Sequence, residues 1–284
     1  MNSSWSLEDI SWAKIEPGKV DGDLLKAVKA AALVEANSAD YVAYLHSVFA
    51  SDEAFKQAAS YWGIEERQHG DALGKWAEIV DPSFRYEQCL AQFRAGYQIP
   101  LAAKRSVRGS RAGELVARCI VESGTCSFYS AIRDRTQEPV LKQIAAFIAQ
   151  DEARHYRLFK THLARYLDNG KLGLLDRCRI AFARVAETDD DELAYAYYSA
   201  NIALLPETKD YDRRECADKY LGCTMQLYEF KHVRAAAHMI LSAVDLNPRS
   251  WLSRLGIWLG WKILRRRVRH FQRLAAARNS PTSA

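Results

Sequence analysis

Two short units, Glu66/His69 and Glu152/His155, hold the residues of this chain best placed to do chemistry. Each is a Glu-x-x-His, and positions i and i+3 of a helix share one face. Each is preceded by a further glutamate in a helical context: Glu35 lies 31 positions before Glu66, and Glu122 lies 30 before Glu152. The halves repeat at a nearly fixed shift, 87 positions from Glu35 to Glu122 and 86 from Glu66 to Glu152. Four helices carrying E, ExxH, E and ExxH are the ligand set of a carboxylate-bridged two-metal centre inside a bundle. Four buried glutamates would be costly to desolvate and would repel one another unless cations neutralised them. Two Fe2+ ions balance four carboxylates and leave two neutral imidazoles as terminal ligands. Mixed oxygen and nitrogen ligation suits iron, with manganese as an alternative. The repeat makes Glu66 and Glu152 the bridges, Glu35 and Glu122 terminal carboxylates, and His69 and His155 one ligand to each ion. Glu65 and Asp151 are the neighbouring alternatives, but only Glu66 and Glu152 stand three before a histidine.

The elements that must carry these residues read as helix after helix, with almost no period-two strand pattern. Asp21-Gly22-Asp23 offers an N-cap for a first helix reaching about Ala50. Ser51-Asp52 caps a second, which Asp81-Pro82 stops. A third contains Glu114 to about Arg135. A fourth starts at Pro139 and ends near Leu167, with Asn169-Gly170 as a stop. Residues 83–105 form a crossover with helical turns, the ferritin-like arrangement of a long link between the second and third helices. Three or four further helices follow: one beginning at Asp190-Asp191, one from about Tyr211 to Val244, and a last from near Ser250 toward Arg278.

The expected fold is therefore all-α: a ferritin-like four-helix bundle over residues 21–170, after an N-terminal segment 1–20. Additional helices at 171–248 pack on the bundle, and a basic amphipathic helix and tail occupy 249–284. With 49% hydrophobic and 26% charged residues the chain can bury a sizeable core, which excludes a disordered protein. No stretch reaches eighteen apolar residues, so no membrane span is expected, and the first residues lack a secretory pattern. Six scattered cysteines form neither a disulfide framework nor a four-cysteine metal site, which points to a reducing cytoplasm.

At these residues the sequence resembles the soluble acyl-carrier-protein desaturases of the ferritin-like di-iron superfamily. Trp62-Gly63-Ile64-Glu65-Glu66-Arg67-Gln68-His69-Gly70-Asp71 is similar to that family's first ligand block, and Ala149-Gln150-Asp151-Glu152-Ala153-Arg154-His155 to its second. Glu122-Ser123-Gly124-Thr125 is similar to its third-helix Glu-x-x-Thr. The resemblance covers about residues 30–165. It implies an O2-dependent oxidoreductase that desaturates or hydroxylates an acyl or other aliphatic substrate, carried on an acyl carrier and fed electrons by a donor such as a ferredoxin. It further implies that Thr125 faces the oxygen side, that Trp62 and Asp151 join a hydrogen-bonded network reaching a ligand histidine, and that the protein is a homodimer. Thr125 can equally be a core threonine bonded to its own helix. The expected substrate channel has Tyr41, Leu45, Phe128 and Phe159 as candidate walls. The alternative is a rubrerythrin-like peroxidase or iron-handling protein without organic substrate.

Charge is unevenly spread. Residues 250–278 carry eight Lys or Arg and no Asp or Glu, so the net +5 leaves −3 for the rest of the chain. Tryptophans and apolar residues from Trp251 to Leu264 precede Arg265-Arg266-Arg267. Such a helix suits a peripheral anchor on the inner face of an anionic membrane, a dock for an acidic acyl carrier, or a helix folded back on the bundle. No nucleic-acid-binding motif accompanies the charge.

Overall fold

The computed structural model describes residues 5–168, 172–187, 191–207 and 209–279. Among them the chain is all helical, without a strand. After short 3-10 turns at Leu7–Asp9, Trp12–Lys14 and Pro17–Lys19, the helices are α1 (Gly22–Ala36), α2 (Ser38–Val48), α3 (Glu53–Val80), α4 (Tyr86–Gly96), α5 (Arg111–Arg135) and α6 (Pro139–Leu167). Then come α7 (Leu174–Ala186), α8 (Asp191–Asn201), α9 (Arg213–Met225), α10 (Phe230–Ala243) and α11 (Trp251–Asn279).

The starts follow the capping chemistry. Asp21 accepts from the N–H groups of Asp23 and Leu24, Asp52 from Phe55, and Ser110 from Gly113. Pro139 opens α6, and the buried Glu138 carboxylate before it accepts from the N–H groups of Val140 and Leu141, from Glu16 N–H and from the Trp76 indole. The Asn169-Gly170 stop and the Asp190 start lie outside the described residues.

Two expected helices are broken. The first does not run to Ala50: Asn37 leaves helical geometry at φ −82°, ψ 12°, and α2 begins at Ser38. Arg94 on α4 serves the break, donating to the Ala36 carbonyl at 2.8 Å and to the Asn37 side-chain Oδ1 at 3.3 Å, while Ser38 Oγ donates to Gly63 O. The 211–244 span likewise divides between Met225 and Phe230, where Glu229 N–H donates to His232 Nδ1. Among the described residues five helices thus follow α6, rather than three or four.

α1 lies against α3, α5 against α6, and α3 against α6, which joins the two helix pairs into a bundle; α4 is the crossover. α8 and α9 cover α1, while α7 and α10 cover α5. α1 and α3 approach closely at Gly70, where a Cβ would stand 2.6 Å from Ala36 N and 2.8 Å from Ala32 O. Two apolar clusters fill the bundle. One includes Leu73, Trp76, Ile132, Leu141 and Ile148, the other Phe49, Phe55, Leu115 and Phe159. On α3, α5 and α6 the two clusters occupy opposite ends of each helix, so the polar residues between them occupy the bundle's middle layer.

Candidate metal centre

The structure brings all six sequence-assigned ligands into that middle layer. Glu35 comes from α1, Glu66 and His69 from α3, Glu122 from α5, and Glu152 and His155 from α6, and every one is buried. They form two overlapping quartets able to hold a metal ion. One is Glu35, Glu66, His69 and Glu152; the other is Glu66, Glu122, Glu152 and His155. Glu66 and Glu152 belong to both, as a bridging pair must. The imidazoles lie 5.7 Å apart, centroid to centroid.

Both histidines present Nδ1 to the carboxylates. His69 Nδ1 stands 3.3 Å from Glu152 and 3.8 Å from Glu35; His155 Nδ1 stands 2.9 Å from Glu66 and 3.6 Å from Glu122. The opposite nitrogens are held by outer carboxylates: His69 Nε2 by Asp151 at 3.1 Å and His155 Nε2 by Glu65 at 2.8 Å. A carboxylate at Nε2 keeps the proton there and leaves the Nδ1 lone pair for a cation. Glu65 and Asp151, each one residue before a ligand glutamate, thus serve the histidine of the other motif. Arg154 clamps both, donating through Nη2 to Glu65 at 2.7 Å and through Nη1 to Asp151.

The donor atoms fit a metal. His69 Nδ1, His155 Nδ1, Glu66 Oε1, Glu122 Oε2 and Glu152 Oε1 are buried without a hydrogen-bond partner. Elsewhere buried carboxylates are served, as Glu138 is above and as Glu114 is by Tyr44 and Ser106. Orphaned buried acceptors converging on one point are expensive unless a cation completes them. The electrostatics agree. Burial, then the Glu152 and Glu35 carboxylates, push Glu66 well above the usual carboxylate range. Burial and Glu152 push Glu122 up to about 8. Burial opposes charging of His69, but Asp151, Glu152 and Glu35 outweigh it and raise the imidazole.

Asp151 takes its expected place, but Trp62 does not. The Trp62 indole N–H finds no partner, and its ring packs edge-on against Phe159 at 5.6 Å. The indole in the network is Trp5, which donates to Asp151 Oδ2 at 2.8 Å and stacks on His69, centroids 6.0 Å apart and 1° from parallel. Gln68 fixes it by donating to Trp5 O. No local signal marked Trp5, because 146 residues separate it from Asp151.

Thr125 Oγ1 lies 2.5 Å from Glu152 Oε2, and 3.3 Å from the carbonyls of Val121 and Glu122. It therefore touches a candidate ligand as well as its own helix. A small cavity, about 60 Å3, borders the carboxylates; Thr125, Tyr41, Trp62, Arg118 and Glu192 are in its lining. Of the four candidate channel walls only Tyr41 reaches it. Leu45 and Phe159 belong to one apolar cluster and Phe128 to the other, because their helical positions turn them into the layers on either side of the site.

Fold and site together define a helical-bundle protein with a buried glutamate–histidine cluster able to hold metal. No family model matches the chain, and no curated protein matches it.

Proposed function

We propose that this protein is a di-iron oxidoreductase that uses O2 to desaturate or hydroxylate an acyl or other aliphatic substrate. The observation that carries the reading is the pair of ligand quartets sharing Glu66 and Glu152. A bound pair of ferrous ions would supply the electrons that reduce O2, and O2 the oxidising power for attack on an unactivated C–H bond. Glu35, His69, Glu122 and His155 would be terminal ligands, with manganese as the alternative metal. Asp151 and Glu65 orient the imidazoles, and Arg154 holds those two carboxylates in register. Thr125 holds a proton at Oγ1 beside Glu152, where a proton is needed when oxygen is reduced. Apolar layers flank the centre above and below.

The cavity has room for dioxygen and the reacting end of a chain, well below the roughly 300–1,000 Å3 of sites for drug-sized ligands. The likeness of the two motif blocks to those of the acyl-carrier-protein desaturases supports the acyl class, an acyl carrier, a ferredoxin-type donor and a homodimer. The direct bond from Thr125 to a shared carboxylate, beside a cavity, favours substrate oxidation over iron handling.

The test is oxygen consumption by iron-loaded protein with a chemical reductant, with and without acyl substrates, and mass spectrometry of the products. Substrate-dependent loss of two hydrogens or gain of one oxygen atom, abolished in Glu152→Ala, is expected. Oxygen or peroxide consumption indifferent to every acyl substrate would instead indicate the peroxidase or iron-handling reading.

A further inference from the structure

Helix α11 faces the wrong way for a helix whose only neighbour is its own protein. Its inner face is narrow: Ile257 is buried, while Trp261, Leu264 and Val268 are half-buried, with Trp261 meeting Phe230 of α10 at 6.1 Å. The opposite face is apolar and open to solvent. Trp251, Leu252, Leu255, Trp258, Leu259 and Ile263 are all exposed, Trp251 by 71% and Leu252 by 62%. At 100° per residue these six fall within about 140° of arc, centred opposite Ile257. An ordinary surface helix directs that stripe at its core, so an apolar stripe turned outward, with Lys262 inside its arc and Arg266 continuing it, marks a contact surface.

The charge on and around the stripe selects the partner. Arg254, Lys262, Arg265 and Arg266 are exposed. Lys262 Nζ lies 5.0 Å from the Trp258 ring and the Arg265 guanidinium 5.9 Å from Trp261. No Asp or Glu follows Asp245 in the sequence. A second copy docking through this helix would bring cations against cations. An acidic protein would match the charges but leave the outward tryptophans and leucines unexplained. A bilayer with anionic headgroups accepts both, burying apolar side chains and tryptophans at the acyl boundary while phosphates meet the basic groups. Among the described residues no helix is long and apolar enough to cross a membrane, so the helix would lie in the interface rather than span it.

We propose that α11 docks the protein on an anionic lipid bilayer, with the Trp251–Ile263 stripe in the headgroup–acyl boundary and Arg254, Lys262, Arg265 and Arg266 on lipid phosphates. This surface does not depend on the metal reading. It is tested by sedimenting the full chain with vesicles of phosphatidylcholine alone or mixed with phosphatidylglycerol, while following tryptophan emission. At least about tenfold tighter binding to the anionic vesicles, with a blue shift of the emission and weakening in high salt, is expected. Trp258→Ser combined with Leu259→Ser should abolish binding and leave helical circular dichroism and metal content unchanged, since both side chains are exposed. Lys262→Gln with Arg266→Gln should remove the preference for anionic lipid. Vesicle binding unaffected by either pair overturns the proposal. So does the absence of binding in a chain that is dimeric until Trp258→Ser separates it, or that binds an acidic acyl carrier protein and ignores vesicles.

Discussion

Gly70 sits where α1 and α3 touch, one residue after His69 and opposite the turn of α1 that carries Glu35. In Gly70→Ala the new methyl would meet Ala36 N at 2.6 Å, Ala36 Cβ at 2.7 Å and Ala32 O at 2.8 Å. Two of these are backbone atoms, so no rotamer change relieves them. Reaching ordinary contact at about 3.5 Å requires the helices to part by about 0.9 Å. Metal–carboxylate bonds tolerate about 0.2 Å, so the displacement is several times what the Glu35 site can absorb. Overpacking of this kind costs about 1–3 kcal/mol, a drop of several degrees in Tm. The quartet containing Glu35, the one member that α1 supplies, should therefore fail first as α1 gives way, while the quartet of Glu66, Glu122, Glu152 and His155 on α3, α5 and α6 persists. Anaerobic ferrous titration should show the variant holding one ion tightly where the parent holds two. A folded Gly70→Ala protein that binds two ions with parental affinity would refute the reasoning.

Further expectations concern the outer groups. Asp151→Asn and Glu65→Gln each loosen the grip on one imidazole and should lower metal affinity about 10–100-fold with the fold retained, measured by competition with a chelator. Trp5→Phe removes a hydrogen bond to a buried carboxylate and should cost about 1.5–3 kcal/mol in denaturant unfolding. Trp62→Phe removes no hydrogen bond and should cost less; the reverse order would restore Trp62 to the network. Desolvation raises the Asp81 carboxyl, but Lys29 at 2.5 Å and Ser83 outweigh it and bring it to about 2, against an ordinary 3.8. A depressed carboxylate stabilises above its unfolded value and loses that contribution as pH falls. The stability gap between parent and Lys29→Met should be about 1–2 kcal/mol at pH 6, after allowance for partial exposure, and close between pH 4 and 2. A gap independent of pH would contradict the pairing.

The glutamate–histidine cluster was legible because its pattern is local. Glu66 with His69 and Glu152 with His155 obey i, i+3 spacing, and the near-equal shift between halves selects Glu35 and Glu122. Helix starts were legible for the same reason, since Asp21, Asp52 and Pro139 act within one turn. What escaped depends on tertiary partners. The break at Asn37 is supported by Arg94, 57 positions away, and the indole on Asp151 comes from the N-terminal segment and not from the motif's own tryptophan. By spacing Glu65 reads only as a rival ligand, because nothing in the spacing shows that it faces the histidine of the other half. Leu45, Phe128 and Phe159 have the character of channel walls but point into the apolar layers, a matter of helix rotation that composition does not encode.

Bridging is the central claim, and metal stoichiometry across three variants tests it most directly. Under anaerobic ferrous titration the parent chain should bind two ions. Glu35→Ala should bind one, because Glu35 serves a single quartet. Glu152→Ala, which removes a carboxylate common to both quartets, should lose tight binding of both. A parent chain that takes up no iron, or a Glu152→Ala protein that still holds one ion as tightly as Glu35→Ala does, would contradict a carboxylate-bridged pair at this site.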